Sequence, residues 1–204
     1  MEALRVRFCD EFDGGFGWIV DEFMLRCSHA LVSDGRVWVI DAVDGVGVEE
    51  RIRAAGAPAG VIQLLDRHNR DCARLAERLS VPHLAVPEQP VPPFEFRRIR
   101  RSRRWKEVAL WWPERRIVVF ADALGTAPYL CARGERLGVH PLLRLFPPRR
   151  QLADLAPEAV LCGHGDGVLD GAEPALREAL SSARRRIPAQ LASAVRAWRA
   201  TRPG

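Results

Sequence analysis

Residues 60–86, GVIQLLDRHNRDCARLAERLSVPHLAV, limit the possible folds more than any other stretch of the chain. Val61, Ile62, Leu64 and Leu65 form a short run rich in branched side chains, the pattern of a buried strand. It gives way to Asp66, His68, Asn69, Arg70 and Asp71. A helical pattern follows, with Leu75 and Leu79 on one face and Arg74, Glu77 and Arg78 on the other. Val81-Pro82 then opens a further strand. Two carboxylates, an imidazole and a guanidinium therefore crowd the turn where a buried strand hands over to a helix. α/β proteins place their sites at such strand ends.

The segments before this unit read as β-rich. Leu4, Val6 and Phe8 alternate with charged residues as a half-buried strand does, and residues 10–17 read as a turn-rich loop around Asp13-Gly14-Gly15. Residues 23–27 and 29–33 read as strand, Asp34-Gly35 as a hairpin turn, and residues 36–40 as the returning strand, closing on Asp41. Residues 48–55 suit a short helix stopped by Gly56. Beyond the unit, four prolines between Pro87 and Pro93 make an extended connector between two halves of one fold, residues 1–86 and 94–204. The second half repeats the pattern. Residues 108–112 and 116–120 form a hairpin turned by Pro113-Glu114, and the second strand closes on Asp122. Residues 159–162 read as a short buried strand running into Gly163-His164-Gly165. Residues 172–186 and 188–198 read as helices; Leu176, Ala179 and Leu180, and then Leu191, Val195 and Trp198, are expected to cover the sheet.

Charge is concentrated in one place. Seven of the ten residues from 97 to 106 are basic and none is acidic; without them 24 basic residues face 26 acidic ones. Residues 94–99 read as the start of a strand, and Arg97, Arg98, Arg100, Arg101, Arg103 and Arg104 form one local basic run, read as a solvated face. With Trp105 beside it, the run is a candidate for binding nucleic acid or another anion. No apolar run is long enough for a membrane span. The N-terminus lacks a signal-peptide core, and five scattered cysteines without a C-x-x-C pair suit reduced thiols. These features lead us to expect a cytoplasmic protein in which no cysteine is a zinc ligand.

The strand–loop–helix unit, with the hairpin SHALVSDGRVWVIDA before it, resembles the metallo-β-lactamase fold superfamily. That superfamily carries an H-x-H-x-D-H signature on this loop. The resemblance covers nearly the whole chain and implies a single α/β (α+β) domain, a four-layer αβ/βα sandwich. It also implies a metal-dependent hydrolase acting on a small-molecule substrate, with Asp41 supporting the site loop. Carried over by position, the implied metal ligands are Asp66, His68, Asp71, Asp122 and His164. The signature is degraded: Asp66 and Asp71 stand where histidines are expected, and Arg70 stands where a metal-binding aspartate is expected. The remaining histidine of the pattern falls near residues 102–104, where there is none.

Two expectations follow. In the first, one ion, zinc by resemblance, is bound and activates water, slowly because the usual aspartate partner is missing. In the second, no metal binds. Arg70 then replaces the metal's charge by pairing with Asp71 and Asp122, and the cleft binds a ligand or partner. A plainer role also fits part of the loop, since Asp66, Arg70 and Asp71 suit the start of a helix near Asn69. His29, His83 and His140 read as structural.

Overall fold

Two short turns fold the first strands back on one another. β1 (Arg7–Phe12) and β2 (Gly15–Ile19) are joined by Asp13-Gly14 alone, and β3 (Cys27–Ser33) and β4 (Arg36–Ile40) by Asp34-Gly35. In the computed structural model, which describes residues 4–68 and 70–200, Asp34 and Gly35 both take positive φ, as a tight hairpin turn requires. The loop expected over residues 10–17 is therefore mostly strand. Its glycines are paired residues: Gly17 lies opposite both Cys9 and His29. The strand expected over residues 23–27 begins only at Cys27, because residues 22–25 close a turn through the Leu25 N–H to the Glu22 carbonyl.

The chain then crosses over twice. α1 (Val48–Ala55) leads from β4 to β5 (Ala57–Gln63), and α2 (Cys72–Leu79) leads from β5 to β6 (His83–Ala85). Strands β4, β5 and β6 are parallel and complete a six-stranded sheet in the order β1-β2-β3-β4-β5-β6. Gly56 ends α1 at φ 154°, where an added Cβ would lie 2.5 Å from the Gly35 carbonyl oxygen, so only glycine fits.

The second sheet uses only residues from 95 onward. β7 (Glu95–Ser102), β8 (Trp105–Trp112) and β9 (Ile117–Phe120) are antiparallel; β12 (Ala159–Cys162) joins β9 in parallel, giving the order β12-β9-β8-β7. A small ladder of β10 (Leu124–Gly125) and β11 (Gly138–Val139) follows β9. The basic run is thus an edge strand, with only Arg103 and Arg104 in the turn. Ile99 and Trp105 are buried, anchoring the segment, while most of its arginines face outward. Charged edge strands resist pairing with other chains.

Two apolar layers hold these parts together. Leu31, Trp38, Ile40 and Ile62 of the first sheet pack with Val108, Leu110, Val119 and Leu161 of the second. On the outer face of the first sheet, Val37, Val39 and Val61 pack with Val48 and Ile52 of α1 and Leu75 and Leu79 of α2. α3 (Ala172–Ser182) buries Leu176, Ala179 and Leu180 in the same apolar cluster as the second sheet, next to β12. The helix–sheet–sheet–helix layering is the sandwich expected from the sequence. α4 (Ile187–Ala200) departs from expectation: Leu191, Val195 and Trp198 are 54%, 48% and 47% exposed. It docks instead through Gln190 and Ser193, and Gln190 donates to the Tyr129 carbonyl at 2.7 Å.

Arg144 and Glu135 form a fully buried bidentate pair at 3.0 and 2.6 Å, and Arg144 also donates to the Leu130 carbonyl at 2.7 Å. Removing one partner strands the other charge. Arg144→Met is expected to cost about 3–5 kcal/mol in urea denaturation. The double variant Arg144→Met/Glu135→Leu is expected to recover most of that loss.

Candidate metal centre

Four strands bring the site together, and they form two parallel pairs, β4–β5 and β9–β12. Asp41 follows β4 and His68 lies beyond the end of β5; Asp122 follows β9 and His164 follows β12. Parallel neighbours end on the same side, so one crevice collects all four loops.

His68 Nε2 and His164 Nε2 both lie against one oxygen, Asp122 Oδ1, at 2.9 and 3.0 Å, and are 3.4 Å from each other. Each ring is fixed from behind. His68 Nδ1 lies 3.2 Å from Asp41 Oδ2, and His164 Nδ1 donates to the Met24 carbonyl at 2.8 Å. A carbonyl only accepts, so His164 carries its first proton on Nδ1; the ionised Asp41 imposes the same on His68. The Asp41 carboxylate is itself held by the Leu64 N–H at 2.9 Å, and Asp41 adopts φ 48°, a strained conformation for this loop. Three acceptors, two Nε2 lone pairs and a carboxylate oxygen, are therefore pointed at one another.

Arg70 sits beside this triangle. Its Nη1 donates to the carbonyls of Cys27 and Asp41 at 2.7 and 2.9 Å, and its Nη2 donates to the carbonyl of Gly163 at 2.9 Å. Nη2 is also 3.5 Å from His68 Nε2. The expected pairing of Arg70 with Asp71 and Asp122 is not formed. The loops after β4 and β12 and the start of β3 turn their carbonyls inward, and the guanidinium fork meets those carbonyls first. Asp122 Oδ2 is instead met by Arg67 at 3.2 Å, whose guanidinium lies 4.6 Å over the Trp105 ring.

The structure brings His68, Asp122 and His164 together and leaves two of the expected ligands outside. Asp71 accepts the Asp44 N–H at 2.9 Å and pairs with Arg74 at 3.3 Å. It is the residue before α2, yet its side chain makes no capping bond; the helix begins at Cys72, and Asn69 lies outside the described residues. Asp66 is tied by its backbone N–H to the Lys106 carbonyl. Its side chain lines a separate cleft of about 480 Å³ with Gln63, His83 and Glu107, and its Oδ1 has no partner among the described residues. In the basic run, Arg101 pairs with Glu88 at 3.0 Å, Arg98 with Glu88 at 3.9 Å, and Arg97 with Glu95 and Asp154. Arg100, Arg103 and Arg104 are exposed. His83 bonds Gln63, and His140 accepts the Leu142 N–H in the short helical turn Pro141–Leu143.

The electrostatics follow the geometry. Burial would raise the Asp122 carboxyl, but hydrogen bonds and charge from His164 and His68, available when a ring takes up a second proton on Nε2, outweigh it and hold Asp122 far below the usual carboxylate range. Burial and the charge of Arg70 pull His68 down, while Asp41 and Asp122 pull it up and prevail. For His164 burial prevails and the imidazole is lowered. Glu107 is a residue that sequence reasoning missed. Wholly buried, it accepts the N–H groups of Asp122 and Ala123 on Oε1 and the Trp105 indole on Oε2, which sets the Asp122 loop. Burial and the charge of Asp122 push it up to about 7. Its only sequence signal was a carboxylate directly before the apolar run of residues 108–112.

No protein-family model matches the chain, and no curated protein matches it in sequence. Among solved structures it is similar to a DIM-1 metallo-β-lactamase exposed to ceftazidime, with a TM-score of 0.61 and 14% identity over 91% of this chain and 99% of that one. It is similar to a metallo-β-lactamase from Erythrobacter litoralis, with a TM-score of 0.60 and 11% identity over 91% and 95%. It is also similar to a putative diflavin flavoprotein fragment from Nostoc, with a TM-score of 0.62 and 11% identity over 93% and 99%. The chain has the metallo-β-lactamase fold. Proteins of this fold bind metal ions, and the His68–Asp122–His164 group is the candidate ligand set here. Among the described residues, no helix is long and apolar enough to cross a membrane.

Two outcomes check this arrangement. Arg70→Ala removes one donor from each of three inward carbonyls; the Asp41 carbonyl keeps Ser28 Oγ and the Gly163 carbonyl keeps the Cys27 N–H, so a loss of about 1–3 kcal/mol is expected in chemical denaturation. Glu107 binds its proton more tightly when folded than when unfolded. The folded state therefore holds more protons between pH 4.5 and about 7, and stability falls as pH rises through that window. Glu107→Gln is expected to flatten this slope, as measured by unfolding free energy against pH.

Proposed function

We propose that this protein is a metal-dependent hydrolase of the metallo-β-lactamase fold with a single-ion site formed by His68, Asp122 and His164. The observation that carries the reading is the meeting of three acceptors. With both Nδ1 positions already donating, no proton lies among the two Nε2 atoms and Asp122 Oδ1 unless a histidine becomes charged. A cation relieves that repulsion directly. The 3.4 Å between the Nε2 atoms matches the roughly 3.3 Å that two nitrogens at about 2.0–2.1 Å from a tetrahedral zinc would show. Two imidazoles and a carboxylate suit zinc, iron or manganese.

Bound there, the ion would supply a Lewis acid and lower the pKa of a water molecule toward neutrality. The chain's residues do the rest. Asp41 and the Met24 carbonyl fix the histidine tautomers. Arg67 holds Asp122 in place. All three of Arg70's close hydrogen bonds go to backbone carbonyls, so it contributes charge to the cleft. That charge favours an anion forming on a substrate carbonyl or phosphoryl oxygen. It also disfavours a second cation, which supports one ion rather than two. Because Arg70 stands at the position of a carboxylate, the site lacks that proton acceptor, and slow turnover of small ester, thioester or phosphodiester substrates is expected.

One observation favours the metal-free reading: two guanidinium groups, Arg67 and Arg70, already lie beside Asp122 and Asp41. In that case the histidines hold the extra proton and the cleft serves recognition. Elemental analysis after purification without tags or chelators separates the two. About one ion per chain that is lost in the double variant His68→Ala/His164→Ala is expected; a metal content unchanged by that variant, even after incubation with zinc, would leave the metal-free reading of this site. His68→Ala and His164→Ala are expected to lower thermal stability with zinc present but not with chelator. Equal losses in both conditions would count against metal binding.

A further inference from the structure

A second cluster of potential ligands lies on the first sheet and shares no residue with the site above. Cys9 and Asp10 come from β1, Cys27 and His29 from β3, and all four are buried. Cys27 and His29 are two residues apart on one strand and so share a face. Cys9 and Asp10 are adjacent and would ordinarily point to opposite faces. Asp10 instead adopts φ 50° where the β1–β2 register shifts, and this turns its carboxylate to the side of Cys9. Between them on β2 stands Gly17, paired with Cys9 on one side and His29 on the other. A Cβ added there would lie 3.0 Å from His29 Cδ2 and 3.2 Å from Asp10 Oδ2. A bulge, a left-handed aspartate and a missing side chain all serve the same convergence.

The distances fit one ion. Two thiolates at about 2.3 Å from a tetrahedral zinc are about 3.8 Å apart, and a thiolate and an imidazole nitrogen about 3.6 Å. Cys9 Sγ is 3.7 Å from Cys27 Sγ, and Cys27 Sγ is 3.7 Å from His29 Nε2 and 3.9 Å from Asp10 Oδ2. The potential ligand atoms of Cys9, Asp10 and Cys27 all lie within 4.8 Å of one another; His29 is outside that group and would have to close on it to serve as the fourth ligand. His29 Nε2 and Asp10 Oδ2, at 2.9 Å, are in hydrogen-bond contact and must part slightly to share an ion. The carboxylate is already aimed, because the Gly167 N–H donates to Asp10 Oδ1 at 2.7 Å and leaves Oδ2 to the cluster.

We propose that Cys9, Asp10, Cys27 and His29 form a second metal site, structural in role, for a thiolate-preferring divalent ion of the zinc class. All ligands come from the protein and all are buried, which is the character of a closed site. The ion would pin β1 to β3 across β2. Through the Gly167 N–H on Asp10, and through the Cys27 N–H on the Gly163 carbonyl, it would also brace the loop that carries His164. No cysteine spacing in the sequence signals this site, because its ligands lie two strands apart.

Cobalt(II) distinguishes this site from the His68–Asp122–His164 cluster, which has no thiolate. The full chain, reduced and stripped of metal, is titrated with cobalt(II) under anaerobic conditions. We expect a thiolate-to-cobalt charge-transfer band in the near ultraviolet that saturates at about one ion per chain. The band should disappear in Cys27→Ser and in Cys9→Ser, and persist in Cys72→Ser, Cys131→Ser and His164→Ala. No band in the unaltered chain overturns the proposal, and that result needs no variant to fold. A band that survives in Cys9→Ser, or a Cys9–Cys27 disulfide in the freshly purified metal-free protein, also overturns it.

Discussion

Three backbone carbonyls, of Cys27, Asp41 and Gly163, turn inward at the rim of the sandwich, and Arg70 answers all three. They come from the start of β3, the end of β4 and the end of β12, so one side chain joins both sheets where the site is built. Buried carbonyls without donors are costly; Ser28 Oγ and the Cys27 N–H share the Asp41 and Gly163 carbonyls, and the guanidinium ties all three together. Arginine suits the task because its charge is permanent and its fork is planar. The same placement puts a fixed positive charge 3.5 Å from His68 Nε2, which limits what else the crevice can hold.

Around that brace the histidines are arranged like metal ligands. A carboxylate behind His68 and a carbonyl behind His164 free both Nε2 atoms to face Asp122. Glu107 sets the Asp122 loop from the other side, through two backbone N–H groups. A donor set oriented in this way from behind favours a cation more than a simple pair of buried histidines would. A full ring of ligands for a second ion is missing, because Asp71 is turned to Arg74 and the Asp44 N–H, and Asp66 lines another cleft. The crevice gathers one group that could hold a metal ion, with an arginine beside it.

Several misreadings share one cause. Glycines at positions 15 and 17 look like loop residues, yet they are strand residues that let neighbouring side chains converge. A run of seven basic residues looks like a solvated face, yet Ile99 and Trp105 anchor it as an edge strand. Leu191, Val195 and Trp198 have core spacing, yet α4 packs through Gln190 and Ser193. In each case local composition was read correctly and the neighbour across the sheet was missing from view.

The sequence by itself determined the strand–loop–helix unit at residues 60–86 and both main hairpins, while the sandwich class and the interest in His68, Asp122 and His164 came from the resemblance those segments carry. Periodicity and turn chemistry act over a few residues, so they can be read along the chain. Only the tertiary structure decided that Arg70 binds carbonyls rather than carboxylates, that Asp66 and Asp71 face elsewhere, and that Glu107 lies beneath Asp122. It alone joined Cys9 and Asp10 to Cys27 and His29. These are contacts between strands far apart in sequence. Which donor reaches which acceptor is settled by sheet register and loop closure, and neither is written in the order of the residues.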